Sequence, residues 1–202
     1  PSAKVFFFPA LSQIDRCTWQ PEPVSVGNGF GMKVARSPCF SATDFTMKEF
    51  MKEVNSQRRT AIVLMSDGLD GSLPSVKGDG SMLAYEELLR NIQEFDGLIY
   101  TLWLNTVYES LSEKDTQPED FDRGHDRMQE IAHTGGGLFY EVEKIEDLAG
   151  AYERVVADLG TVYSLSYRPT NKRRDGSWRA IHIRLPSRPD AVARGRRGYF
   201  AK

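Results

Sequence analysis

Thr60-Ala61-Ile62-Val63-Leu64-Met65-Ser66-Asp67-Gly68 decides the fold reading of this chain. Ala61–Met65 is an unbroken apolar run of strand length, apolar on both faces, which suits a sheet covered by helices on each side. In an open parallel sheet, ligands bind just beyond the carboxyl ends of the strands. Asp67 stands one residue past the run, and Gly68 allows a sharp turn there. A carboxylate at that place can bind a hard cation, polarise a water or cap a turn.

Two more runs have the same character, Leu98–Leu104 and Leu138–Tyr140. Helical periodicity lies around them. Met47, Phe50, Met51 and Val54 share one helix face, starting near Asp44, where Thr46 and Glu49 have capping-box spacing. Tyr85, Leu88, Leu89 and Ile92 repeat the pattern before a stop at Asp96-Gly97. Met128, Ile131 and Ala132 precede the glycine run Gly135–Gly137, and Leu148, Tyr152, Val155 and Leu159 precede Gly160. Strands alternating with helices imply parallel βαβ units with right-handed crossovers.

Beyond Gly160 the period changes to two. Tyr163–Tyr167 and Trp178–Leu185 read as a hairpin joined by the turn Asn171–Gly176, with a third short strand ending at Gly198-Tyr199-Phe200. At the other end Val5–Phe8 reads as a strand, Gly31–Ala35 as a further candidate, and residues 9–30 as a long loop. The expected organisation is an α/β domain over residues 1–160 and a β extension over 161–202 packed on it.

The bulk properties agree with one such domain: 202 residues, 40% hydrophobic and 27% charged. No apolar stretch approaches the roughly 18 residues that span a bilayer. Pro1-Ser2-Ala3-Lys4 leads straight into the first strand, so no signal peptide is expected within the chain. Cys17 and Cys39 can form one disulfide or remain two buried thiols. His125, His133 and His182 share no metal-ligand spacing. The net charge of −2 conceals an asymmetry, because from Arg168 onward Asp175 and Asp190 are the only acids. Basic strands lying on an acidic helical surface explain this. Nucleic-acid binding is not expected, since the aromatics of the segment fall on strand positions without stacking periodicity.

With its flanks, Arg58–Asp70 resembles the Ser-Asp-Gly strand of a von Willebrand factor A (VWA) domain. Ala132-His133-Thr134-Gly135-Gly136-Gly137-Leu138-Phe139, the helix from Ile145, Tyr163–Asn171, Asp175–Arg179 and Arg196–Phe200 resemble the closing part of acidobacterial-type VWA-related proteins. The resemblance covers residues 56–201. It implies a Rossmann-like VWA fold, with a mostly parallel central sheet flanked by helices and a small C-terminal antiparallel β appendage. It also implies a metal-ion-dependent adhesion site for Mg²⁺ or another divalent cation, with Asp67 as one metal ligand. A Thr just before the preceding helix maps onto Thr43, with Ser41 as the alternative. The family's Asp-x-Ser-x-Ser motif is absent. Either Val5–Phe8 is the family's second strand and the motif lies upstream, or it is the first strand and Pro9-Ala10-Leu11-Ser12-Gln13 replaces the motif.

The expected function is a non-catalytic, adhesion-type module for a protein partner, located extracellularly or in the periplasm or cell envelope. The alternative is a metal-free structural domain of a larger secreted or envelope assembly. The acidic stretch Asn105–Asp126, with Asp115, Glu119, Asp120, Asp122 and Asp126, is expected as a loop on the same edge. No nucleophile elbow, phosphate loop or dinucleotide fingerprint follows a strand. A haloacid-dehalogenase-like phosphatase using Asp67 would want a second carboxylate two residues on, where Leu69 stands, with Asp70 one place late.

Overall fold

The computed structural model describes residues 4–10, 38–53, 60–76, 80–106, 116–163, 165–188 and 190–202. In chain order the elements are β1 (Lys4–Ala10), α1 (Cys39–Glu53), β2 (Thr60–Ser66), α2 (Tyr85–Glu94), β3 (Leu98–Leu104), α3 (Pro118–Thr134), β4 (Gly136–Val142), a 3-10 turn (Ile145–Asp147), α4 (Leu148–Gly160), β5 (Trp178–Ala180) and β6 (Gly198–Phe200). The first four strands form a parallel sheet in the order β1-β2-β3-β4, and β5 and β6 form a separate antiparallel pair.

That order dictates the layers. Right-handed crossovers that advance always in one direction place every crossover helix on the same face. Accordingly α1, α2 and α3 share one core with alternate residues of the sheet: Cys39, Phe40, Met47, Leu88, Ile92, Met128 and Ile131 pack with Ile62, Leu64, Ile99 and Trp103. The intervening residues Ala61, Val63, Met65, Tyr100, Leu102, Leu104 and Val142 point to the other face, where α4 covers them with Ala151, Val155 and Leu159. Both faces of β2 and β3 are therefore dry, which is why these strands read as continuous apolar runs. Burying a side chain such as Ile62 or Leu64 contributes about 1.5–3 kcal/mol.

Several expectations change. Helix α1 begins at Cys39, ahead of Asp44, so the Thr46/Glu49 capping box lies inside it, and the Thr46 hydroxyl donates to Ala42 O at 2.7 Å. The acidic stretch is no simple loop. From Pro118 it is helix α3, whose Pro at the start and Glu119 and Asp120 in the first turn suit a helix N-terminus.

The hairpin is also different. Trp178–Ala180 pairs with Gly198–Phe200, whereas the described residues of 163–167 are not strand. Gly198 permits this pairing, since a Cβ there would lie 2.4 Å from the Trp178 ring, and Trp178 meets Phe200 edge-on at 4.9 Å. Arg179 donates to Asn171 O and Arg173 O, which folds the intervening turn back on itself. The extension docks through charge, with Arg194 on Asp158 of α4, Arg196 on Asp96 after α2, and Lys202 on Glu94 of α2. Gly31–Ala35, Val54, Cys17 and Asp115 lie outside the described residues.

Candidate functional site at the end of the second strand

Asp67 follows β2 directly and is 1% exposed. One carboxylate oxygen, Oδ1, accepts the Leu69 N–H at 3.1 Å, closing an Asx turn, while Oδ2 accepts the Thr106 hydroxyl at 3.2 Å. The Asp67 carbonyl accepts Trp103 Nε1–H at 2.8 Å. Ser66 Oγ accepts the Gly68 N–H at 3.0 Å. Gly68 adopts φ +78°, and a Cβ on it would fall 2.4 Å from Gly124 O, so helix α3 can rest on this turn only because both positions are glycine. Strand β3, the residues just past it and helix α3 together fix where the Asp67 carboxylate sits.

The other predicted ligands lie at the start of α1. Thr43 is buried and its hydroxyl donates to Cys39 O at 2.8 Å, within the first turns of the helix rather than ahead of it. The buried Cys39 thiol lies near the side chains of both Ser66 and Thr43. Burial, and then the negative charges of Asp70 and Asp67, push this thiol up to about 12 against the opposing influence of the Ser66 and Thr43 side chains. Cys39 is a free thiol. Ser41 is half-buried and gives its N–H to Ser81 Oγ at 3.1 Å.

Asp70 belongs to the same network. Fully buried, it accepts Ser81 N–H at 2.8 Å, Ser81 Oγ–H at 2.6 Å, Ser72 N–H at 2.9 Å and Phe40 N–H at 3.4 Å. A carboxylate at a helix N-terminus is favoured by the unpaired N–H groups and the helix dipole. Leu69, the residue between the two carboxylates, packs with Leu73 and Phe121.

Asp120 is likewise no solvated acid. It is 2% exposed and accepts Ser75 N–H at 2.9 Å and Arg123 at 3.0 Å. Although burial acts to raise its pKa, the Ser75 hydroxyl and N–H and the Arg123 guanidinium outweigh this and hold it below the usual carboxylate range. Glu119, Asp122 and Asp126 are exposed. His125 stacks edge-on between Trp103 and Phe139 at 4.8 and 4.9 Å.

Sequence reasoning missed Thr106, Trp103, Ser81 and Cys39 as neighbours of the two carboxylates. Only Thr106 left a trace, as a hydroxyl shortly past the apolar run of β3, on the strand next to Asp67. No family model matches the chain, and no curated protein or solved structure does either. Among the described residues no helix is long and apolar enough to cross a membrane, and no group of three or more His, Cys, Asp and Glu side chains could hold a metal.

Proposed function

We propose that this chain is a non-catalytic, VWA-type protein-binding module whose partner contacts the loop edge organised by Asp67. The observation that carries the reading is the network just described. Through Asp67 and Asp70 it joins the turn after β2, the end of β3, the start of α1 and the Ser81 loop. Pre-organised loops on a rigid sheet lower the ordering cost of binding. Met82, immediately after Ser81, is fully exposed and supplies an apolar contact on that rim. Asp67 itself is too enclosed to meet a partner side chain directly, so its role on this reading is to set the loops.

The donors fit a divalent cation poorly. Both Asp67 oxygens already accept hydrogen bonds, and the Thr43 hydroxyl is directed to Cys39 O. Recognition on this reading therefore rests on surface complementarity, and a bridging Mg²⁺, Mn²⁺ or Ca²⁺ is an outcome to be tested. Against a phosphatase stands Asp70, whose oxygens are committed to Ser81, Ser72 and the α1 N-terminus. The extracellular or envelope setting is inferred from the resemblance alone.

The test is thermal denaturation with increasing Mg²⁺, Mn²⁺ or Ca²⁺, on wild type and Asp67→Asn. A cation-dependent rise in Tm in wild type that Asp67→Asn lacks sustains the metal-bridged form. No rise in wild type removes the cation. Hydrolysis of a generic phosphate ester that disappears in Asp67→Asn would replace the binding module with an enzyme.

A further inference from the structure

At the opposite end of the sheet, where β4 begins, the C-terminal segment crosses the sheet and leaves a cavity of about 370 Å³. Three arginines, Arg194, Arg196 and Arg197, and two histidines, His133 and His182, line it, and no Asp or Glu does. We propose that this cavity binds a small molecule through a phosphate group.

The floor is built by glycine. Gly136 adopts φ +73°, and a Cβ there would lie 3.2 Å from the Gly195 backbone, so the arginine segment can lie close on the strand. On either side of Gly195 that segment is pinned: Arg194 holds Asp158 at 2.5 Å, and Arg196 donates to Gln93 O at 3.0 Å. Those contacts account for how the extension docks. The third arginine, Arg197, is solvent-exposed, as are His133 and His182, and among the described residues none of the three has a hydrogen-bond or ion-pair partner, so all three are open to a ligand arriving from solvent. The Nε of Arg196 is also buried without an acceptor. Arg194 and Arg196 already face Asp158 and Asp96, so Arg197 carries the charge left uncompensated along the lining, and an anion placed there is attracted by it and by the remaining N–H groups of the other two.

Phosphate suits these donors because a guanidinium presents a planar fork that matches its oxygens. The carbonyls ending α3 oppose an anion, but a helix terminus carries only about half a unit charge, less than one guanidinium. The volume lies at the small end of the roughly 300–1,000 Å³ typical of ligand sites. It suits a compact phosphate compound rather than a nucleic-acid strand.

Isothermal titration of the full chain with sodium pyrophosphate, at low and matched ionic strength, tests this. Saturable one-to-one binding is expected, weakened at least about tenfold by Arg197→Gln and measurably by His182→Gln. Arg174→Gln, an exposed arginine outside the cavity lining, should leave it unchanged. The absence of saturable binding, an equal loss in Arg174→Gln, or tighter retention of a single-stranded oligonucleotide than of pyrophosphate would each overturn the proposal. Circular dichroism of each variant separates a lost contact from a lost fold.

Discussion

The Ser81 hydroxyl donates to Asp70 Oδ2 at 2.6 Å, and Ser81 Oγ itself accepts the N–H groups of Phe40 and Ser41, each at 3.1 Å. The first turn of α1 is thus capped by a residue 41 positions away in sequence from Phe40. Helix caps are ordinarily local; here the capping group arrives from the loop before α2, and a buried carboxylate on the Asp67 turn fixes its orientation. One pair of residues therefore couples the start of a helix to the edge where the candidate site lies.

Asp70→Ala should remove this cap and leave several buried donors unpaired, destabilising the protein by about 2–4 kcal/mol in urea denaturation. Ser81→Ala should cost about 1–2 kcal/mol. Because both act through one network, the double variant should cost less than the two singles added. Full additivity would mean that Ser81 and Asp70 act separately.

Gly68→Ala meets both a positive φ and a Cβ position 2.4 Å from Gly124 O, so something must shift. A loss above about 2 kcal/mol is expected, with backbone strain supplying about 1–2 of it. Gly150, in α4, has nothing within 4 Å of its Cβ position. Gly150→Ala should raise stability by up to about 1 kcal/mol through helix propensity. Chemical denaturation of the pair checks both signs.

Asp120 provides a pH test. Its folded pKa is depressed, so its contribution is fully present above the unfolded value of about 3.9. As pH falls below that value the unfolded chain takes up the proton first, and the contribution is lost as pH passes through the folded pKa. The stability gap between wild type and Asp120→Asn should accordingly be constant from pH 7 to pH 5 and should narrow in more acid solution. A gap independent of pH down to about 2 would show that Asp120 contributes through packing alone.

Cys39 gives the opposite slope. With the native thiol raised to about 12, the unfolded chain ionises first, near pH 8.5, and stability falls as pH rises above that point. In a Cys17→Ser background, iodoacetamide at pH 8 should leave Cys39 unmodified in the native protein and alkylate it after denaturation, as read by intact mass. Rapid native alkylation would contradict the buried position of Cys39 beneath the Asp67 turn.

Strand β2 was legible because a strand buried on both faces must be apolar at every position, a requirement written in consecutive residues. The helices at Tyr85, Met128 and Leu148 were legible through their 3.6-residue period and their glycine or Asp-Gly stops. The start of α1 was not, since Asp70 and Ser81 supply its cap from distant segments. Asp120 looked like a surface acid because nothing near it in sequence announces that Ser75 receives it. The partner of Trp178–Ala180 was misread because Tyr163–Tyr167 has the better alternation, whereas a glycine at position 198 and an aromatic contact decide the pairing.

By itself the sequence determined the α/β class, the position of Asp67 at the carboxyl end of a buried strand, and the charge separation that docks the basic extension. These follow from periodicity and composition, which are local or additive properties of the chain. Tertiary structure alone decided which hydroxyls face the two carboxylates, which N–H groups they cap, and where Arg197 meets two histidines from distant segments in one lining. Those are relations between segments tens of residues apart, created when helices pack on a sheet whose strand order no local pattern encodes.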